Sequence, residues 1–233
     1  MIKNYNDFIA ALLDAGFSMA SGDNDEGIFK LIQYGWKQEP DDYPLRWYSG
    51  DPDTDPASWS NRVLERGDIA YGKMFFRKSG YMTKEWWPYF LVVRRSAHGG
   101  NAFDSLYADG KISQAAKRIY DLFAEHDKLA LHEIKPLAGF AKEEKSKFDN
   151  ALTELQMYMF ITICGNRQKT SQTGDAYGWP SNVFCTTERF FGDEVFARAD
   201  KIKPEEAIVK ITEQIYKLNP SAAQKKINKF IKG

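Results

Sequence analysis

Ser146, Lys147, Asn150 and Thr153 recur at helical spacing within one segment, so they share one side of the helix that this segment predicts. Hydroxyls, a carboxamide and an ammonium group are what hydrogen-bond phosphate oxygens and base edges, and a helix is the element a DNA major groove admits. A second group follows. Arg167, Lys169 and the run Thr170-Ser171-Gln172-Thr173 set cations and hydrogen-bonding groups on a hairpin tip, as a phosphate or minor-groove contact requires. Each group has a plainer reading: a mixed polar helix face also serves protein contacts, and polar residues suit any solvated turn.

Three further clusters carry chemistry less firmly. Trp86-Trp87-Pro88-Tyr89-Phe90, near Lys73, Arg77 and Lys78, joins aromatic and basic groups that could stack an extruded base and hold its backbone; alternating aromatics in a β-rich core give the same pattern. Lys225, Lys226, Lys229 and Lys232 coat one face of a C-terminal helix, either as a phosphate-tracking surface or as an ordinary solvated one. Asp51, Asp53 and Asp55 start like a calcium loop, but Pro56 replaces the required glycine and Arg62 the closing glutamate. His98, His126 and His132 are dispersed, and His132-Glu133 fails as a zinc motif because Pro136 takes the second histidine position. No dinucleotide, P-loop or nucleophile-elbow motif occurs. No metal and no cofactor is expected, and catalytic residues stay unassigned.

The elements that position the first two groups run from Ser113 to Thr187. Ser113 caps a first helix bearing Ile119, Leu122 and Phe123; Leu131 to Leu137 form a second; Gly139 turns the chain. A third helix, Glu143 to Met159, buries Phe148, Leu152, Leu155 and Met159 on one face. The period then shifts to two at Met159 to Cys164, Gly165 to Lys169 turns, and Val183 to Thr186 returns. Three helices closed by a hairpin describe a winged helix. Upstream, the sequence predicts a helix at Tyr5 to Gly16, a polar loop at Ser18 to Glu26, an apolar element at Gly27 to Trp36, and a helix at Ser58 to Arg66. It then predicts strands at Ile69 to Arg77 and Tyr81 to Thr83 around a Lys78-Ser79-Gly80 turn, and a β-rich Tyr89 to Arg94. A Gly-rich loop, Ser96 to Asn101, and a short helix, Phe103 to Ala108, lead into the winged unit. Downstream, Pro204 opens one helix and Ser221 with Gln224 forms a capping box for the last. The expected fold class is α+β, mostly helical, with a winged helix and a degenerate second unit in the N-terminal half. The expected divisions are 1–110, 111–190 and 191–233.

The 233 residues carry no net formal charge, but the balance is uneven. Residues 1–60 hold 4 Lys/Arg against 11 Asp/Glu, whereas residues 61–100 and 201–233 each hold 8 against 3. Two basic regions can therefore meet an anionic partner, and the asymmetry permits head-to-tail self-association. No apolar run is long enough to span a bilayer, and Asp7 and Asp14 interrupt the N-terminal run as no signal peptide would; a cytoplasmic location is expected. Cys164 and Cys185 read as buried free thiols, with a cross-hairpin disulfide as the alternative.

LHEIKPLAGF, ALTELQMYMFITICG, GDIAYGKMFFRKSGY, EWWPYFLVVRR and YGWPSNVFCTTERFFG resemble the short bacterial relatives of the AlkZ-type winged-helix DNA glycosylases, over most of the chain. The resemblance implies tandem winged helices with an added β-region, and its glycosylase branch excises alkylated or crosslinked bases using a Gln-x-Gln or Gln-x-Asp pair. Here no Gln has Gln or Asp two places on, so that assignment does not carry over. The function expected is duplex DNA binding, with a glycosylase-like hydrolase left open. The alternatives are a dimeric winged-helix regulator and a protein-interaction module without DNA affinity.

Overall fold

The computed structural model describes residues 1–20, 28–35, 40–95, 102–170, 173 and 175–233. The expected polar loop after Ser18 and the loop at 96–101 lie largely outside them, and the described part of the expected apolar element, residues 28–35, is neither helix nor strand. About half of the chain is helical and the rest is organised by one antiparallel sheet, so the chain is a mixed α+β protein with more strand than expected.

The N-terminal half begins with helix α1 (Tyr5–Ala15), capped by the Asn4 side chain and stopped at Gly16, and passes into strand β1 (Phe17–Met19). Helix α2 (Pro56–Arg66) starts on the buried Asp55, whose carboxylate accepts from Ala57, Tyr48 and Gly50 N–H groups. The carboxylate that imitated a calcium ligand is a helix cap. Strands β2 (Ile69–Phe75) and β3 (Lys78–Thr83) form a hairpin whose turn is Phe76-Arg77, both at positive φ, and not Lys78-Ser79-Gly80. Two consecutive left-handed residues match the strand twist in a two-residue turn. Gly80 is needed for a different reason: a Cβ there would lie 2.6 Å from Phe75 Cδ2 and 2.8 Å from the Ser18 carbonyl. The expected β-rich Tyr89 to Arg94 is helix α3 (Trp87–Arg95). A short apolar run does not distinguish strand from buried helix by period alone, and this helix is covered on nearly every side.

Helix α4 (Ala102–Ala108) leads to α5 (Gln114–Tyr120), where Ser113 Oγ accepts from Ala116 N–H as expected. The loop after it contains an unexpected short strand, β4 (Leu129–Ala130), before helix α6 (Leu131–Leu137). Helix α7 (Lys145–Met157) follows a 3₁₀ turn, Lys142–Glu144. Strands β5 (Ile161–Thr170) and β6 (Ala176–Thr186) extend well past the expected turn: Gly165 to Lys169 lie within β5, at two register shifts. Gly165 to Lys169 carry no apolar side chain, so as strand residues they read like turn residues.

The sheet order is β1-β3-β2-β5-β6-β4. Each half has the same internal order, a short strand beside the return strand of a hairpin, and the halves meet where Tyr71 of β2 pairs with Ile163 of β5. Helices α1 and α2 bury Phe8, Leu12, Trp59 and Val63 against Ile69 and Tyr81. Helices α5 to α7 bury Ile119, Ile134, Phe148 and Leu155 against Ile161, Ile163 and Phe184.

The chain closes with α8 (Thr187–Phe191), α9 (Asp193–Ala199), α10 (Pro204–Leu218) and α11 (Gln224–Lys232). Ser221 does not cap the last helix; its N–H and hydroxyl donate to Asn219 Oδ1. These helices pack back onto α3 and the N-terminal strands, with Val195, Ile211, Ile227 and Phe230 joining Phe75, Met82 and Phe90. Two buried arginines tie this assembly. Arg94 donates to the Met74, Met157, Phe230 and Ile231 carbonyls; Arg95 donates to those of Tyr158 and Met159 and pairs with Glu188.

Candidate nucleic-acid interface

Helix α7 forms because Phe148, Leu152 and Leu155 share a buried face, while Lys145–Asp149 and Glu144–Lys147 ion pairs at 3.0 and 3.1 Å support its exposed first turns. The Glu144 carboxyl is held below the usual carboxylate range by the Ala141 N–H and then by Lys147. Ser146, Lys147 and Asn150 are exposed on one stripe of this helix. Thr153 is not part of that stripe. It is buried, and its hydroxyl donates to the Asp149 carbonyl at 2.8 Å, because β2 packs over that flank of the helix.

Three neighbouring residues define the rest. Gln156 is buried: its Oε1 accepts from Lys73 N–H at 2.9 Å, and its Nε2 donates to the Leu152 carbonyl at 3.0 Å. It therefore fastens α7 to β2 beside Gly72, where a Cβ would come within 3.0 Å of Gln156 Oε1. Glu154, which the sequence set facing outward near the polar stripe, instead accepts from Ser113 N–H and Oγ at 2.7 and 2.8 Å, fixing the start of α5. Arg77, at the β2–β3 tip, reaches across the sheet junction and donates to Asn150 Oδ1 at 2.6 Å. The hairpin of one half thus touches the open stripe of the other half's helix.

On the β5–β6 hairpin, Arg167 donates to both oxygens of Glu133 at 2.6 and 2.7 Å, which ties the hairpin to α6. Burial pushes the Glu133 carboxyl up, but the Ala130 N–H and the Arg167 guanidinium together bring it below the usual range. Lys169 is half-buried opposite Tyr177 and makes no ion pair among the described residues. Beyond it, Tyr177 and Trp179 are 55% and 85% exposed. Gln168 Nε2 donates to the Tyr177 and Gly178 carbonyls at 3.0 and 3.1 Å and so holds the bulge that displays them. Sequence reasoning missed Trp179; a tryptophan between glycine and proline was its only signal. Thr173 donates to Asp175 at 2.7 Å, and residues 171 and 172 fall outside the described set.

The aromatic cluster at Trp86 to Phe90 is not a stacking surface. Trp86, Trp87 and Phe90 are buried around Phe17, Phe75 and Phe191, because the segment is the first turn of α3. Among the described residues no group of three or more acidic, His or Cys side chains could hold a metal, and no helix is long and apolar enough to cross a membrane. Cys164 and Cys185 are free thiols on adjoining strands.

Two solved structures are similar to the chain. The DNA glycosylase AlkZ of Streptomyces sahachiroi is 13% identical with a TM-score of 0.40, and the match covers 76% of this chain; the chain spans about half, 50%, of that protein. A MarR-family transcriptional regulator from Silicibacter pomeroyi is 17% identical with a TM-score of 0.24, covering 60% of this chain and 88% of that one. No curated protein matches. A model of the family described as AlkZ related matches residues 2–232, nearly the whole sequence. The chain belongs to the AlkZ-related family.

Proposed function

We propose that the chain binds duplex DNA, with α7 entering the major groove and the β5–β6 hairpin lying along the neighbouring backbone as a wing. The stripe on α7 carries this reading. Ser146, Lys147 and Asn150 are open to solvent on one face, and Arg77 arrives beside them from another part of the chain. Asn150 Nδ2 makes no hydrogen bond among the described residues and is left to donate to a base edge. Arg77 and Lys147 supply phosphate contacts, and Lys169 with the displayed Trp179 would follow the backbone from the hairpin. Arg167 acts first as the strut to Glu133.

In this reading each half is a winged unit, residues 1–110 and 111–190, and residues 191–233 brace the first. The repeated strand order supports it: α1-β1-α2-β2-β3 and α5-β4-α6-α7-β5-β6 each place a short strand beside a hairpin's return strand. Base excision is not part of the proposal, since the sequence lacks the glutamine pair that excision in the related glycosylases would call for. The test is anisotropy of a fluorescent duplex, with and without an alkylated base, at roughly 50 and 200 mM salt, where phosphate-driven binding changes steeply. Affinity that falls with salt supports the reading. Absence of binding at the lower salt refutes it and leaves a protein-contact module.

A further inference from the structure

At the C-terminal end of α7 the structure forms a cleft of about 270 Å³ between the β2–β3 tip and α11. Arg77, Lys229, Lys232, Glu154, Phe76 and Tyr158 line it, together with Met157 and Gly233. The three cations come from segments far apart in sequence, and none makes an ion pair with a carboxylate among the described residues. Glu154 spends both oxygens on Ser113, and cationic groups outnumber carboxylates in the lining. Beneath it lies Arg94, only 4% exposed, which makes no salt bridge among the described residues. Its guanidinium holds carbonyls from two of the walls, Met157 at the end of α7 and Phe230 and Ile231 of α11, so the walls are fixed before anything binds. A buried cation in a low-dielectric setting adds to the field that an anion in the cleft would feel. Lys229 Nζ stands 5.8 Å from the Phe76 ring centroid, which puts a flat apolar face next to the charges.

We propose that this cleft binds one nucleotide unit: its phosphate between Arg77, Lys229 and Lys232, its base or sugar against Phe76 or Tyr158. The volume lies just below the usual span of ligand sites, about 300–1,000 Å³, and suits one such unit at most. For a nucleotide within DNA the proposal rests on the reading above, because the cleft continues the α7 stripe through Arg77. A free mononucleotide would satisfy the same groups.

The test compares wild type with Lys229→Gln/Lys232→Gln, both exposed, and with Lys201→Gln/Lys217→Gln, which removes equal charge from exposed positions outside the cleft lining. The dependence of duplex affinity on salt should flatten by about 1 in log–log slope in the cleft variant, the mark of one lost phosphate contact, and not in the control. If the wild type binds duplex and the two variants behave alike, the cleft proposal fails while the DNA reading stands. If the wild type binds no duplex, the DNA reading fails, and NMR titration with deoxyadenosine monophosphate decides for the cleft. Shifts at Phe76 and Tyr158 that vanish in the cleft variant support a free-nucleotide site; no shifts refute it.

Discussion

Replacing Arg94 with Met should cost far more stability than its position in a short helix suggests. The guanidinium donates four hydrogen bonds at 2.8–3.1 Å, to carbonyls of β2, the end of α7 and the last turn of α11. Those of Met157, Phe230 and Ile231 belong to helix ends, where no intrahelical N–H is available. Methionine fills similar volume but provides no donor. Each stranded buried carbonyl costs on the order of 1–3 kcal/mol. Water can reach carbonyls at a helix terminus, so an effect equivalent to about two stranded groups is expected, about 2–6 kcal/mol. The relieved cost of burying the arginine charge is why the effect stays below four full hydrogen bonds. Arg94→Lys should fall between, since one ammonium cannot fork toward three segments. Urea unfolding followed by tryptophan fluorescence gives the difference. A loss for Arg94→Met under about 1 kcal/mol would show that the carbonyls find other partners and that α11 is not stapled through this residue.

Other outcomes follow from single contacts. Lys147→Gln should weaken duplex binding across sequences and reduce the salt slope by about 1, whereas Asn150→Ala should alter sequence preference by about 1–3 kcal/mol at one base pair; competition binding against a degenerate duplex pool separates the two. Thr153→Val should leave DNA affinity unchanged, because its hydroxyl serves the Asp149 carbonyl; a large loss would return it to the interface. Gly80→Ala should destabilise by about 1–3 kcal/mol through overpacking against Phe75 and the Ser18 carbonyl, measured by thermal melting. The Glu133 carboxyl has a lowered pKa, so its contribution is complete above the unfolded carboxylate range and is lost as pH falls through its folded value. Glu133→Gln should therefore lower stability at neutral pH and flatten the acid limb of a stability–pH curve; an unchanged limb would contradict the Arg167 strut.

Much of the C-terminal half was legible from local signals. Ser113 as a cap, Gly139 as a left-handed stop and the apolar face of α7 all depend on groups within one or two turns, so a helical period reveals them. Errors arose where the local signal was ambiguous. Tyr89 to Arg94 has β-forming side chains but is helix, because burial on all sides removes the period that separates the two. The hairpin ends were misplaced in both halves: Gly80 marks close packing and not a turn, and Gly165 marks a bulge.

The sequence by itself determined the family, the helix–helix–helix–hairpin succession and which face of α7 is apolar, since each resides in short-range pattern. Only the tertiary structure decided which polar residues of α7 remain on the surface. Thr153, Glu154 and Gln156 look like Asn150 in one dimension, but their hydrogen bonds go to Asp149, Ser113 and Lys73. It also decided that Arg77 and the α11 lysines meet at the end of that helix. That residues 77, 154 and 229 line one cleft depends on how the sheet halves join at Tyr71 and Ile163, and no local periodicity encodes a junction between distant strands.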